Sequence, residues 1–240
     1  MGMILRTNTD TLSISDPDGV SLPFDTTGLA YFNIYGKGNI TANYASGGAP
    51  AAVVGSPTLS GEWLHLTGQT NYLTTAVADS TGFTAIGVAK WPGSTGSNRA
   101  PILSNYNGTI GKTLSFLGTT QLQFSAPYTN NSTSVDGNVS RQFNVAVNTP
   151  LLVMGRTGLV ANQMTTRDIT GGTNDAYTPS GQTAKNGTQP FYIGGAPTSI
   201  GNIALDLGAL FIFNRALSDN DVLSVSSYLR SYYASKGITI

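Results

Sequence analysis

The ionisable side chains limit the chemistry open to this chain. Glu62 is the sole glutamate, His65 the sole histidine, and there is no cysteine. Retaining glycoside hydrolysis needs two carboxyl groups about 5 Å apart, and one glutamate cannot supply a Glu-based pair. The missing cysteine excludes disulfides, thiolate metal sites and a thiolate nucleophile. His65 alternates with Trp63 on one side and with Leu64 and Leu66 on the other, so it reads as a strand histidine rather than a general base. Asp219 and Asp221 read as helix-capping residues, and Asp16 and Asp18 as turn formers. Asp168 and Asp175 lie in a polar stretch and are the least explained pair; they read as solvated loop carboxylates. No catalytic residue and no metal site is assigned. An Asp-lined calcium loop is the one cation site the composition leaves open, and no ligand spacing supports it. No cofactor is implied: Gly171-Gly172 and Gly194-Gly195 lack the following helix that phosphate binding uses, and no nucleotide motif is present.

What remains is recognition chemistry. A tyrosine ring can stack on the apolar C–H face of a sugar while planar amides bond its hydroxyls. Such residues fall together at Tyr106 with Asn105 and Asn107, at Tyr128 with Asn130 and Asn131, and at Asn174, Asp175 and Tyr177. Each group also reads as an ordinary turn carrying a tyrosine. The glycan-binding candidates are Tyr106, Tyr128, Asn130, Asn131, Asn174, Asp175 and Tyr177.

These residues must be held by strands. Short apolar runs alternate with Gly, Ser, Asn and Pro along all 240 residues. The runs predict strands at Leu29–Tyr35, Glu62–Leu66, Phe83–Trp91, Thr113–Leu117, Gln121–Ser125, Gln142–Val147, Leu151–Arg156, Phe191–Gly194 and Ile203–Phe213. Asn107-Gly108, Asp136-Gly137 and Asn186-Gly187 are turn signals. One helix is expected over about 219–236: Ser218 and Asp221 form a capping box, Leu217 and Val222 a hydrophobic staple, and Gly237 a left-handed stop. Its buried face is read as Val222, Val225, Leu229 and Tyr232. The fold class is therefore all-β, a two-sheet antiparallel β-sandwich with one C-terminal α-helix. Residues 1–28 read as an N-terminal arm or extra strand able to anchor the domain, and residues 29–240 as the sandwich. The stretch Gly158–Gln189 reads as a long loop or loose hairpin.

Lys+Arg and Asp+Glu are 12 each, and only 10% of residues are charged. Nucleic acid needs a basic stripe, and none is visible. No apolar run is long enough for a signal peptide or a membrane span, so membrane insertion is not expected. The sequons at Asn39, Asn107, Asn131, Asn138 and Asn186 accordingly read as turn asparagines.

Phe191-Tyr-Ile-Gly-Gly-Ala, the run Ile203–Phe213, Asn214-Arg-Ala-Leu-Ser-Asp and the helix ending at Lys236-Gly-Ile238 resemble the C-terminal half of concanavalin A-like lectin/glucanase domains, in the laminin-G-like branch of phage and bacterial surface proteins. Trp63-Leu-His-Leu-Thr-Gly, Asn71-Tyr-Leu and Phe83–Pro92 are similar to strands of its first half. The resemblance covers about residues 40–240 and implies a lectin-like jelly roll. Gly208 and Ala209 stand where members of that family often carry an acidic residue. The resemblance and the composition together lead us to expect a non-enzymatic accessory protein of a bacteriophage virion. It would be made in the host cytoplasm and exposed on the particle as a capsid decoration or tail component. Its expected partners are the major capsid or tail protein, host-surface glycans and copies of itself, with a trimer as the expected homo-oligomer. The alternative is a bacterial carbohydrate-binding adhesin.

Overall fold

The runs Phe83–Lys90, Leu151–Thr157 and Ala204–Phe213 are apolar at most positions. Successive residues of a strand face opposite sides, so such runs must be buried on both faces. The computed structural model, which describes residues 22–94 and 98–240, places all three side by side in the middle of one sheet. In chain order the strands are β1 (Leu29–Ile34), β2 (Ala52–Val54), β3 (Thr58–Ser60), β4 (Trp63–Thr67), β5 (Tyr72–Thr74), β6 (Phe83–Lys90), β7 (Arg99–Ser104), β8 (Thr113–Leu117), β9 (Gln121–Asn130), β10 (Asp136–Asn144), β11 (Leu151–Thr157), β12 (Met164–Asp168), β13 (Thr173–Tyr177), β14 (Gln182–Ala184), β15 (Tyr192–Ile193) and β16 (Ala204–Phe213), followed by α1 (Asp219–Ser235).

The strands form two antiparallel sheets. The first runs β13-β12-β11-β6-β16-β4-β3, with β1 also on β16; the second runs β10-β9-β8-β7-β15-β5-β2, with β14 on β9. The inner faces share one core. Phe83 stacks on Phe124 and Phe191, and Trp91 on Phe116. A second cluster lies on the outer face of the first sheet. There Ile86, Val88, Leu152, Met154, Ala209 and Phe211 meet Val222, Val225, Leu229 and Tyr233 of α1. The cap is as expected: the Asp221 N–H donates to the Ser218 hydroxyl at 3.1 Å, the Ser218 N–H donates to the Asp221 carboxylate, and Gly237 takes φ +72°. The tyrosine is a correction. Tyr233, not Tyr232, completes the buried face, because the helix repeat carries the stripe from Leu229 by four residues. Gly208 sits at a register shift in β16, where an added Cβ would lie 2.2 Å from the Tyr233 hydroxyl. Close approach of the helix explains why no larger side chain stands there.

Other expectations shift. The predicted strand Gln142–Val147 is β10, displaced to Asp136–Asn144, so Asp136-Gly137 starts a strand instead of turning. The stretch Gly158–Gln189 is more ordered than a loop: β12 and β13 pair as a hairpin, and β14 adds to β9. Its threonines suit strands and are buried at Thr165 and Thr166. Of the expected arm, residues 1–21 lie outside the described residues. Residues 22–28 pack on the sandwich, with Leu22 buried, Phe24 edge-on to Phe211 and Tyr228, and Asp25 paired with Arg215.

Candidate ligand-binding face

The outer faces of the two sheets differ. The first is apolar and takes the helix. The second carries hydroxyls and amides, since inward Leu114, Phe116, Leu122, Phe124 and Ala126 alternate with outward Thr113, Ser115, Gln123 and Ser125. Register lines these up across the strands. Ser140 lies opposite Ser125, Ser125 opposite Thr113, Thr113 opposite Ser104, and Ser104 opposite Tyr192. The result is a row of hydroxyls over β10, β9, β8, β7 and β15, exposed at Ser140, half-buried at Tyr192 and buried at Ser125, Thr113 and Ser104. Ser125 and Ser140 Oγ are 2.5 Å apart, and Ser104 Oγ and Thr113 Oγ1 are 2.8 Å apart. When two hydroxyls bond each other, one O–H and several lone pairs stay unspent. Beside this row, Gln142 lies opposite Gln123 and Gln123 opposite Ser115. Ser115 Oγ and Gln123 Oε1 are buried without a partner.

A pocket of about 290 Å³ opens over the row, lined by Arg99, Tyr106, Thr113, Ser125, Asn138, Ser140 and Ile200. Its walls are fastened. Asn138 exchanges hydrogen bonds with the backbone of Gly111, donating to its carbonyl and accepting from its N–H. The Thr198 hydroxyl donates to the Tyr106 carbonyl, and Gln69 donates to the Thr198 carbonyl. Asn105 Oδ1 accepts the Lys112 N–H at 2.5 Å, fixing the loop that carries Tyr106. Below that loop, Lys112 Nζ lies 2.6 Å from Asp79 Oδ1, both side chains being sealed from solvent at 2% and 0% exposure. Burial pulls the Lys112 pKa down, and the Asp79 charge opposes it. Burial also lowers the pKa of Arg99, with Tyr106 opposing.

The residues singled out by sequence separate. Tyr106 reaches the pocket, its hydroxyl donating to the Gly108 carbonyl at 2.8 Å. Tyr128 does not: it is an inward residue of β9 at 1% exposure, its pKa is pushed up to about 12 by burial, and with Asn130 it borders a separate pocket. Asn130 and Asn131 hold structure, Asn130 by capping the turn at Ser132 and Thr133, and Asn131 by accepting from Thr183. Asn174, Asp175 and Tyr177 lie on edge strand β13 of the other sheet, outside the pocket over the hydroxyl row. Asp175 takes two hydrogen bonds from Arg141 of the opposite sheet, and Tyr177 lies 4.8 Å from that guanidinium. This pair clamps the open side of the sandwich.

The carboxylates are likewise engaged. Glu62 accepts from the Tyr232 hydroxyl at 2.7 Å and lies near Lys236, tying the helix to β4. Asp168 accepts the Gly171 N–H in a turn, so it and Asp175 serve separate structural ends. His65, Asp206 and Lys90 stand in one cross-strand row, with His65 Nδ1 2.8 Å from Asp206 Oδ1. They line a pocket of about 310 Å³ with Trp91, Pro92, Asn148, Ala204 and Leu205, which brings no hydroxyl or thiol nucleophile. Sequence reasoning missed Asp206 because its partner lies 141 residues away. Among the described residues no three His, Asp or Glu side chains gather as a metal site, and no helix is long and apolar enough to cross a membrane.

No protein-family model matches the chain, and no curated protein matches it by sequence. Solved structures do match in fold. The receptor-binding domain of botulinum neurotoxin D superposes with a TM-score of 0.58 at 13% identity, over 91% of this chain and 55% of that one. The binding domain of botulinum neurotoxin DC, in complex with SialylT, gives 0.59 at 14% identity, over 83% and 51%. Trypanosoma rangeli sialidase, in complex with sialic acid, gives 0.57 at 16% identity, over 86% and 33%. The chain thus spans about half of the toxin binding domains and a third of the sialidase. The fold is the lectin-like β-sandwich.

Proposed function

We propose that this domain is a non-catalytic glycan-recognition module displayed on the outside of a bacteriophage particle, and that it binds sugar on the outer face of the second sheet. The observation that carries the reading is the hydroxyl row Ser140–Ser125–Thr113–Ser104–Tyr192, with a pocket at its Ser140, Ser125 and Thr113 end that has Tyr106 in its wall. A sugar presents hydroxyls that both donate and accept, and serine and threonine rotate to serve either role. Each sugar hydroxyl must first give up water, so a single site is weak. Copies on one particle would raise the avidity without new contacts. The low-charge, cysteine-free composition supports a particle surface, with capsid or tail protein as the attachment partner. The fold neighbours support recognition rather than turnover, two of them being described as toxin binding domains. Glu62 being committed to Tyr232 and Lys236 supports the absence of catalysis.

The test is a glycan array probed with the folded domain and with a tetravalent form of it. We expect slight binding by the monomer and clear binding by the tetramer. Thr113→Val and Ser125→Val together should reduce binding with the fold intact by circular dichroism. A tetramer that binds no glycan overturns the reading. Mass spectrometry of purified particles tests the location.

A further inference from the structure

We infer that the pocket takes an acidic sugar, whose carboxylate is held by the guanidinium of Arg99. This deepens the proposed function and rests on it. The observation is an unpaired cation. Among the described residues every other arginine has a partner: Arg141, Arg156, Arg167 and Arg215 meet aspartates, and Arg230 donates to the carbonyls of Ile169 and Ile240. The Arg99 side chain has neither an ion pair nor a hydrogen bond among them. It is half-buried, and it lines the pocket together with Tyr106 and the hydroxyls of Thr113, Ser125 and Ser140.

A half-buried guanidinium without a counter-charge is costly, because it has lost water and gained no partner. Four of the other arginines meet aspartates and Arg230 meets carbonyls, so Arg99 is the exception among the described residues. The pocket lining contains no carboxylate. An anion arriving there would restore what the guanidinium lost, and the planar fork matches a carboxylate with two parallel hydrogen bonds. A phosphate monoester carries nearly twice the charge and is usually met by several donors or cations; one arginine suits a single negative charge. The pocket, about 290 Å³, lies at the small end of ligand sites, about 300–1,000 Å³, and so takes one ring. The carboxylate then sits at Arg99 while the ring hydroxyls reach Ser125, Ser140 and Thr113. The ligand class is therefore a uronic or nonulosonic acid within a surface glycan.

The experiment compares matched saccharides against the tetravalent domain: galactose with galacturonic acid, lactose with sialyllactose, and glucose with glucose 6-phosphate. We expect each carboxylated sugar to bind about tenfold or more tightly than its neutral match, the scale of a charge-assisted hydrogen bond. The preference should shrink as salt rises. Arg99→Gln should erase the preference, and Arg99→Lys should keep part of it. Arg99→Gln should melt at or above the parent's temperature, because it removes a half-buried charge that has no counter-ion. Equal binding of neutral and acidic sugars, or a preference that survives Arg99→Gln, overturns this inference and leaves the glycan reading standing. A stronger preference for the phosphorylated sugar overturns the carboxylate assignment alone. No binding of any saccharide overturns both.

Discussion

The sealed pair of Asp79 and Lys112 fixes the loop that brings Tyr106 to the pocket, and Asp79→Asn should expose its cost. Asp79 Oδ1 accepts from Lys112 Nζ at 2.6 Å and from the Ser80 N–H at 2.7 Å, while Oδ2 accepts the Gly187 N–H at 2.7 Å. Lys112 also donates to the Ser80 carbonyl at 3.0 Å, and its ammonium lies 5.4 Å from the Phe83 ring centroid. Asparagine keeps the shape but removes the charge, leaving an ammonium buried against a carbonyl and an aromatic ring. Breaking a buried pair from one side costs about 3–5 kcal/mol. For a chain of this length that is a fall in Tm on the order of 10 °C. Adding Lys112→Met removes the orphaned charge, so the double variant should be more stable than Asp79→Asn alone, with the coupling read from a double-mutant cycle. The pH dependence has a definite sign. Burial lowers the Lys112 pKa and Asp79 holds it up, so the Asp79→Asn protein has the lower folded value. Folded protein then releases this proton before the unfolded chain does, and stability contributed by Lys112 rises with pH toward about 10.4. Asp79→Asn should therefore regain ground on the parent as pH rises toward that unfolded value. Urea denaturation followed by circular dichroism measures all of this. A loss below about 1 kcal/mol at pH 7, or a double variant no better than Asp79→Asn, would refute the reasoning.

Three further outcomes are expected. The pKa of Asp25 is lowered by hydrogen bonds from the backbone and side chain of Thr27, and that of Asp136 by Lys185 and then Thr129; their stabilisation is complete above the unfolded value near 3.9 and is lost as pH falls through the lower folded values, which urea midpoints from about pH 5 to 2 will show. Ser218→Ala, which deletes the acceptor for the Asp221 N–H, should cost about 1 kcal/mol by thermal denaturation. Gly194→Ala should destabilise by about 1–3 kcal/mol, because Gly194 takes φ +74° and a Cβ there would stand 2.6 Å from Leu66; an unchanged melting temperature would show that the turn relaxes freely.

The parts of the fold that sequence made legible are those where one local pattern suffices. The three doubly buried strands announce themselves as runs apolar at most positions, and α1 by a cap, a staple and a stop within one segment. Edge strands were harder. In β10, the half-buried Val139, Arg141 and Phe143 alternate with the more exposed Ser140, Gln142 and Asn144, a faint pattern behind a misleading Asp136-Gly137. The expected strand Gln121–Ser125 stops short of β9, which runs on through Pro127 to Asn130. Extending the alternation Leu122, Phe124, Ala126 by one step would have put Tyr128 in the core, where it lies.

The candidate face was illegible for a different reason. Aromatic and amide residues adjacent along the chain mark a site built on one loop. The hydroxyl row is instead built across strands, so its members are ordinary serines and threonines until register makes them neighbours. The two outer faces then divide the roles. Apolar residues on the outside of β6, β11 and β16 must be covered, and α1 covers them. Serine, threonine and glutamine on the outside of β8 and β9 need only hydrogen-bond partners, and they find some of these in one another, as Ser125 does in Ser140 and Gln123 in Gln142. Ser115 Oγ and Gln123 Oε1 still lack one. Those two atoms are sealed from solvent; it is the pocket end of the face, polar at Ser140 and Asn138 and charged at Arg99, that suits a ligand bringing its own hydroxyls.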